Sequence, residues 1–120
     1  MTKKILIIGA SGLVGSTVAN YASKNYDLHL VNNKTDFSLQ NFPVSKIDLI
    51  KNQSDILELI KDYRPDFVVH AVAYPSVDFC ESNKQMADVL HIKITDNIAK
   101  TCSNTGSRII YFSTDAVFDG

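Results

Sequence analysis

The chain has 120 residues, of which 45% are hydrophobic and 21% are charged, a composition typical of globular proteins. Its net charge is −1, and the 12 basic residues are scattered, so no surface for nucleic acid or anionic membrane is indicated. The apolar run of residues 5–8 is too short for a signal sequence or a membrane span. These features predict one cytoplasmic domain without nucleic-acid or membrane partners.

The two cysteines predict neither a metal centre nor a redox dithiol. Cys80 and Cys102 lie 22 positions apart, with no CxxC motif and no histidines at ligand spacing. Both are interpreted as small apolar residues in a reducing compartment.

Short apolar runs alternate with stretches of helical periodicity, which predicts an α/β fold. In chain order, we expect a strand over 3–8, a helix over 13–24, strands over 28–32 and 46–49, a helix over 53–63, a strand over 67–71, a helix over 83–104 and a strand over 108–113. Pro65 should end the second helix, and Gly106 should end the third in a left-handed conformation. The order predicts a doubly wound parallel sheet, which binds ligands at the carboxyl ends of its strands.

Three glycines lie between the first strand and the first helix. Gly9, Gly12 and Gly15 have GxxGxxG spacing and occupy the turn where a phosphate would meet the amide groups of a helix start. A side chain at Gly12 would keep a pyrophosphate from the backbone, and one at Gly15 would push the helix away from the strand. The alternative is an ordinary glycine-bearing turn, but the position favours nucleotide binding.

The second strand ends in Asn32, Asn33 and Lys34 where a carboxylate would bind the adenosine ribose of NAD. The missing carboxylate and the nearby ammonium favour NADP(H) over NAD(H), because Lys34 can bind the 2′-phosphate as a point charge. Alternatively, Lys34 is only a solvated loop residue. Asp48 and Leu49, at the end of the third predicted strand, could hold the adenine.

Small and hydroxyl-bearing residues follow the last two strands. Residues 71–73 leave room for a nicotinamide ribose, while His70 is interpreted as a hydrogen-bonded core or rim histidine. Ser113, Thr114 and Asp115 bring two hydroxyls and a carboxylate to the same edge, where a hydroxyl can donate to a substrate carbonyl oxygen. Without the wider pattern, these three residues indicate no more than a turn.

The segments GASGLVG, RPDFVVHAVA, VDFCES and YFSTDAVFDG together resemble the extended short-chain dehydrogenase/reductases and, within them, the dTDP-4-dehydrorhamnose reductase family. The resemblance spans residues 3–120, and its most specific element is the final STDxVFDG motif. It implies an NAD(P)-binding Rossmann domain. It also implies hydride transfer from NAD(P)H to the 4-keto group of a nucleotide-linked deoxysugar in dTDP-rhamnose biosynthesis.

The resemblance also implies roles for individual residues. Thr114 would be the catalytic hydroxyl, and Asp115 and Val77 would contact the substrate. The cofactor contacts, beside the turn glycines, would come from Leu13, Val14, Asn32, Asp48, Leu49, Ala73, Tyr74, Pro75 and Phe112. Two departures concern Ala116, where the family usually has Tyr, and His91, where it usually has Asn. The family's proton donor, a Tyr in a YxxxK motif, does not occur within residues 1–120.

We therefore expect residues 1–120 to be the cofactor-binding part of a reductase, truncated before the sixth strand and the substrate subdomain and without turnover alone. One alternative is a non-catalytic, nucleotide-binding regulatory subunit. Another is a nucleotide-sugar epimerase or dehydratase, against which the STDxVFDG motif argues. The strand over 108–113 should have an open edge or pair with a second copy in a homodimer.

Overall fold

The computed structural model describes residues 2–32, 37–39, 41–49, 51–71 and 84–111, the last range by its backbone alone over 84–91. Its elements are β1 (Lys4–Ile8), α1 (Leu13–Ala22), β2 (Asp27–Asn32), β3 (Val44–Lys46), α2 (Gln53–Tyr63), β4 (Phe67–His70), α3 (Lys84–Thr105) and β5 (Arg108–Tyr111). The described strands form one sheet in the order β3-β2-β1-β4-β5, and every pairing is parallel. This is the doubly wound sheet that the sequence predicts.

The central strand β1 is covered on both faces, which explains its uninterrupted apolar sequence. Alternate residues of β1 enter two separate clusters because side chains alternate across a strand. Ile5 and Ile7 pack with Ala19 and Ala22 of α1 on one face, and Leu6 and Ile8 lie in the cluster that contains the buried residues of α2 and α3 on the other. Burying each of these leucine and isoleucine side chains contributes about 1.5–3 kcal/mol to the stability of the fold.

The second and third helices end where the sequence predicts, and each is followed by a residue in the left-handed conformation. Gly106 has φ 81° directly after α3, a conformation that glycine adopts without a Cβ penalty. Arg64 has φ 49° after α2, and its N–H donates to the carbonyl of Ile60 at 3.0 Å. Because Pro65 disfavours the right-handed helical region at Arg64, the chain leaves the helix at that residue.

The third strand was predicted at the wrong place. It was expected over 46–49, but β3 is Val44–Lys46, paired with β2 from Leu30 onward. The N–H of Leu30 donates to the carbonyl of Pro43, so pairing begins before the apolar residues that suggested the strand. Those residues, Ile47 and Leu49, are buried in the connection that follows. Elsewhere the observed boundaries differ from the predicted ones by one or two residues where they are described.

Candidate functional site

The five described strands are parallel and therefore end at one edge of the sheet, and the candidate site lies at this carboxyl edge. The registers align the strand ends. Ile8 of β1 is opposite Val31 of β2 and His70 of β4, and His70 is opposite Tyr111 of β5. The segments that follow these strands are therefore neighbours in space.

The turn after β1 is anchored to the end of β2. The backbone N–H groups of Gly9 and Ala10 both donate to the carbonyl oxygen of Val31, at 2.9 and 3.1 Å. Gly9 has φ 85°, a left-handed conformation that explains the glycine at this position. The N–H of Gly12 then donates back to the carbonyl of Gly9 at 3.1 Å, which closes the turn before α1 begins.

Gly15 allows α1 to lie against this turn. A Cβ at position 15 would stand 2.0 Å from the carbonyl oxygen of Gly9 and 2.9 Å from the Cα of Ala10, far closer than any real contact. These distances explain why a side chain at position 15 is expected to displace the helix. The obstacle is the backbone of the turn rather than the strand itself.

Gly12, in contrast, is not required by the packing of the protein. Any residue can adopt its φ of −77° and ψ of 173°. Among the described atoms, a Cβ at this position would meet the carbonyl oxygen of Gly9 at an ordinary 3.5 Å. Gly12 is the N-cap residue of α1, no side chain of the described residues caps this helix start, and the first turn carries no acidic residue. The amide groups of the helix start are therefore open to an anion from outside.

Asn32 ends β2 beside the glycine turn. Its side chain is 1% exposed, and its Nδ2 donates to the carbonyl oxygen of Phe37 at 2.9 Å. Its Oδ1 is buried and has no hydrogen-bond partner among the residues that the structure describes. Nothing in the sequence signals the partnership with Phe37, because a backbone carbonyl is common to every residue.

Asp48 and Leu49 follow the third strand at the same edge. Asp48 Oδ1 accepts from the backbone N–H of Lys51 at 3.2 Å, and the carbonyl of Asp48 accepts from the N–H of Asn52 at 2.7 Å. These bonds form the turn that leads into α2. Leu49 is buried in the core cluster that contains Ile56 and Ile60. A contact of either residue with adenine remains a prediction.

His70 is a buried rim histidine, as expected. It is 1% exposed, its Nε2 lies 3.2 Å from Thr95 Oγ1 of α3, and its ring centroid lies 5.2 Å from that of Tyr111. The side chain thus connects β4, α3 and β5 at the carboxyl edge. The sequence did not signal Thr95, which lies next to the buried Ile94 in the helix.

The remaining predicted site residues lie outside the described part of the chain. They are Lys34 at the ribose phosphate, the predicted nicotinamide contacts Ala73, Tyr74, Pro75 and Phe112, the substrate contacts Val77 and Asp115, and the catalytic hydroxyl of Thr114. The departures at Ala116 and in the side chain of His91 also lie outside it. Of the predicted residues, the structure brings together the turn glycines, Leu13, Val14 and Asn32.

Two kinds of site are not found in the described residues. No group of three or more His, Cys, Asp or Glu side chains among them could hold a metal ion. No helix that the structure describes has the length and apolar character needed to cross a membrane.

Comparison with known proteins adds to this geometry. The family model described as the RmlD substrate binding domain matches residues 3–120. The dTDP-4-dehydrorhamnose reductase of Escherichia coli is 29% identical over 123 residues, which cover 97% of this chain and 36% of that protein. Methionine adenosyltransferase 2 subunit beta of Rattus norvegicus is 31% identical over 99% of this chain and 34% of its own length. The chain thus spans about a third of the length of these relatives.

Solved structures agree with the fold. A hypothetical dTDP-4-dehydrorhamnose reductase from Sulfolobus tokodaii superposes with a TM-score of 0.83 at 30% identity, over 98% of this chain and 41% of that one. The dTDP-4-dehydrorhamnose reductase of Bacillus anthracis in complex with NADP has a TM-score of 0.75 at 27% identity, over 100% and 39%. The UDP-glucose 4-epimerase of Brucella ovis in complex with NAD shares the fold, with a TM-score of 0.75 at 20% identity over 92% and 35%.

Proposed function

The chain belongs to the RmlD substrate binding domain family, and from this premise we propose that residues 1–120 are the dinucleotide-binding part, a partial Rossmann domain, of a cytoplasmic NAD(P)H-dependent reductase. The proposed reaction reduces the 4-keto group of a nucleotide-linked deoxysugar in dTDP-rhamnose biosynthesis. The observation that carries the proposal is the open start of α1. Gly12 leaves this helix start uncapped, although the fold would accommodate a side chain there.

Two features fit a nicotinamide dinucleotide. The helix start at Gly12 offers amide donors and the positive end of the α1 dipole to a pyrophosphate. Asn32, next to the Val31 that anchors the turn, carries a buried oxygen that no other described residue hydrogen-bonds. When bound, such a cofactor supplies the hydride for carbonyl reduction. The residues proposed to hold its phosphates are Gly9, Gly12, Leu13, Val14 and Gly15.

The chemistry at the carbonyl is assigned to residues beyond β4 and β5. We assign to Thr114 a hydrogen bond donated to the carbonyl oxygen as charge develops there, and to Asp115 and Val77 contacts with the sugar nucleotide. The nicotinamide would lie between residues 73–75 and Phe112. Because residues 1–120 contain no YxxxK proton donor, we expect them to show no turnover alone.

NADP(H) is the favoured dinucleotide in this proposal. No carboxylate follows β2 to repel a 2′-phosphate, and Lys34 stands two positions after Asn32. The related enzyme of Bacillus anthracis was solved in complex with NADP, which supports the same choice. Tighter binding of NADH than of NADPH would contradict it.

Gly12→Ser tests the dinucleotide site directly. The serine side chain would occupy the space in front of the helix start and cap it, so NADPH affinity should fall by more than about tenfold while the fold is kept. Calorimetric titration of NADPH measures the affinity. Tyr21→Ala, at an exposed position near the other end of α1, is the control and should leave it unchanged. Equal affinity in the Gly12→Ser variant and the unaltered chain would refute binding at the turn.

Turnover is tested separately. NADPH oxidation is followed by absorbance with a dTDP-4-keto-deoxysugar, and the 120 residues alone should give none. Steady oxidation would contradict the assignment of the proton donor to another part of the protein.

A regulatory, non-catalytic role is the second candidate. It is favoured by the 31% identity to a protein that is named as one subunit of another enzyme, methionine adenosyltransferase 2 subunit beta. Dinucleotide binding would then persist, while a longer protein containing this chain would reduce no keto sugar. Assaying such a protein with NADPH and the keto sugar separates the two functions.

Homodimer formation through β5 is also proposed. In the described sheet, β5 pairs only with β4, and its residues Ile110 and Tyr111 are 44% and 40% exposed. A second copy could add to this edge. Light scattering of the chain should give the mass of a dimer, and a monomer at all concentrations would exclude the pairing.

A further inference from the structure

One histidine joins the edge strand β3 to the helix α2. His29 of β2 is half-buried, its Nε2 lies 2.9 Å from the hydroxyl oxygen of Ser45 in β3, and its ring centroid lies 5.3 Å from that of Tyr63 in α2. The proposed dinucleotide site does not use this side chain. A group that changes its charge near neutral pH therefore stands where three elements meet.

Each element packed around His29 carries ionisable groups near it. They are Asp27 on its own strand, Lys4 on β1, Tyr63 on α2 with Asp66 beyond it, and Lys46, the exposed neighbour of Ser45 on β3. The Tyr63 hydroxyl donates to the Asp27 carboxylate at 3.4 Å, and the Lys4 ammonium lies 5.3 Å from the centre of the Tyr63 ring. Burial outweighs the attraction of Asp27, so the pKa of His29 lies below its usual 6.5.

The strand that His29 contacts leads into the proposed site. β3 has three residues and lies at one edge of the described sheet, and its Ser45 pairs with Val31, whose carbonyl oxygen anchors the glycine turn. The N–H of Ile47 then donates to the last carbonyl of β2 at 2.8 Å. Asp48 and Leu49 follow, and both are proposed to hold the adenine. A movement of β3 away from β2 would therefore displace this part of the site.

We propose that His29 is a proton-sensitive switch of the dinucleotide site, in which the neutral imidazole holds β3 against β2 through Ser45 and the protonated imidazole turns toward water and releases β3. The proposal rests on the proposed function above. Protonation leaves the ring able to donate a hydrogen bond, but it places a charge in a half-buried position, which is unfavourable. Hydration of the imidazolium drives the ring outward. The contact that it leaves is the one with β3.

Binding and protonation then oppose each other. A dinucleotide needs β3 in place, so it favours the neutral ring, and by linkage protons weaken the dinucleotide by the same factor. The affinity should be constant above pH 7, because His29 is neutral there with or without ligand. It should fall by roughly three- to tenfold by pH 5, which corresponds to a ligand-induced decrease of about 0.5 to 1 in the pKa of His29.

The first experiment follows the proton. The ring C–H signals of His29 are recorded by nuclear magnetic resonance from pH 8 to pH 5, with and without saturating ADP-ribose. This ligand lacks the 2′-phosphate, which ionises at about pH 6 and would obscure the titration. The signal is assigned by its absence in His29→Gln. The midpoint should be lower with ADP-ribose by about 0.5 to 1 pH unit, and equal midpoints would overturn the proposal.

The second experiment follows the ligand. ADP-ribose is titrated by calorimetry at pH 7.5 and at pH 5, and the unaltered chain should lose roughly three- to tenfold in affinity between them. His29→Gln should bind as the unaltered chain does at pH 7.5 and lose less than about twofold at pH 5, because the titration of the ligand is common to both proteins. An equal loss in the two proteins would assign the pH dependence to another group and refute the switch.

Ser45→Ala tests the route through β3. His29 still titrates in this variant, but the hydroxyl that joins it to β3 is gone, so ADP-ribose should move the midpoint by less than half as much as in the unaltered chain. Ser103→Ala, at an exposed position of α3, is the matched control and should keep the full shift. A full shift in Ser45→Ala would contradict the role of β3.

These measurements separate the two proposals. If the chain binds no ADP-ribose at pH 7.5, the proposed function fails, and the inference fails with it. If ADP-ribose binds in a manner sensitive to Gly12→Ser but leaves the midpoint of His29 unchanged, only the switch is refuted. Should the variants not fold, as circular dichroism would show, the titration of the unaltered chain, with the His29 signal assigned through its own backbone, decides alone.

Discussion

Gly15 lies directly against the carbonyl oxygen of Gly9, so that a Cβ at position 15 would stand 2.0 Å from that oxygen. The contact joins the first turn of α1 to the turn after β1. It therefore fixes where the helix start, with its open amide groups, stands relative to the carboxyl edge of the sheet. At Gly12, three residues earlier, a Cβ would meet the same oxygen at an ordinary contact distance of 3.5 Å.

Gly15→Ser should destabilise the protein. The new Cβ must displace the backbone of the turn, and overpacking of this kind costs about 1–3 kcal/mol even though serine is a better helix former than glycine. Urea unfolding followed by circular dichroism measures the change. Gly12→Ser is the matched control, and it should keep or raise stability because serine is a favourable N-cap residue. Two variants of equal stability would contradict this division of roles between the glycines.

Gly106→Ala should lower stability by about 1–2 kcal/mol through backbone strain alone. Gly106 has φ 81°, and an added Cβ would meet no atom of the described residues within 4 Å, so the strain lies in the backbone conformation rather than in crowding against them. Arg64→Gly is the reverse change at a left-handed residue with φ 49°, and we expect it to raise stability by several tenths of a kcal/mol. Thermal unfolding of both variants checks the opposite signs. A neutral Gly106→Ala would show that the chain relaxes out of the left-handed conformation.

His29 should make stability depend on pH. Burial lowers the pKa of His29 below its usual 6.5, and Asp27 opposes that shift only partly. The imidazole Nε2 lies 2.9 Å from Ser45 Oγ, and the ring packs edge-on against Tyr63. Between the folded and unfolded pKa values the unfolded chain binds more protons, so this contribution is complete above about pH 6.5 and is lost as the pH falls.

The measurement compares urea midpoints between pH 5 and pH 8. His29→Gln keeps a polar side chain without the titration, so its midpoint should decrease less on acidification than that of the unaltered chain. The difference between the two proteins isolates His29 from the carboxylates, which titrate in both. Parallel pH profiles would contradict the lowered pKa.

Much of the fold could be predicted because its signals are local. The apolar run of β1 indicates a strand buried on both faces, and the spacing of Ile56 and Ile60 indicates the buried face of α2. The glycine turn was recognisable because left-handed and close-packed positions restrict residue type. Gly9 and Gly15 show both restrictions in the structure.

The missed features depend on the backbone of distant segments. The position of β3 follows from a bond between the N–H of Leu30 and the carbonyl of Pro43, and a carbonyl has no sequence signature. The same holds for the bond from Asn32 to Phe37, which lies in an aperiodic segment. From the sequence, Asn32 could be identified only as a position where a carboxylate is absent. Only the structure shows that its Nδ2 is bonded to Phe37, while its Oδ1 has no partner among the described residues.

Cys102 should be unreactive in the folded protein. It is 1% exposed within the core cluster that includes Ile94 and Ile98, and burial raises the pKa of its thiol to about 11. At pH 8 only about one molecule in a thousand would carry the reactive thiolate. In a Cys80→Ser variant, which leaves Cys102 as the only cysteine, a disulfide reagent should therefore modify the thiol only as the protein opens.

The rate of modification then reports the opening of the core. It should rise steeply with urea in parallel with unfolding seen by circular dichroism, because exposure of Cys102 requires α3 to leave the sheet. The Cys102→Ser variant, which retains Cys80, provides the rate for the other thiol under the same conditions. Modification of Cys102 in native buffer at the rate of a free thiol would mean that α3 separates from the sheet without global unfolding, contrary to its place in the core.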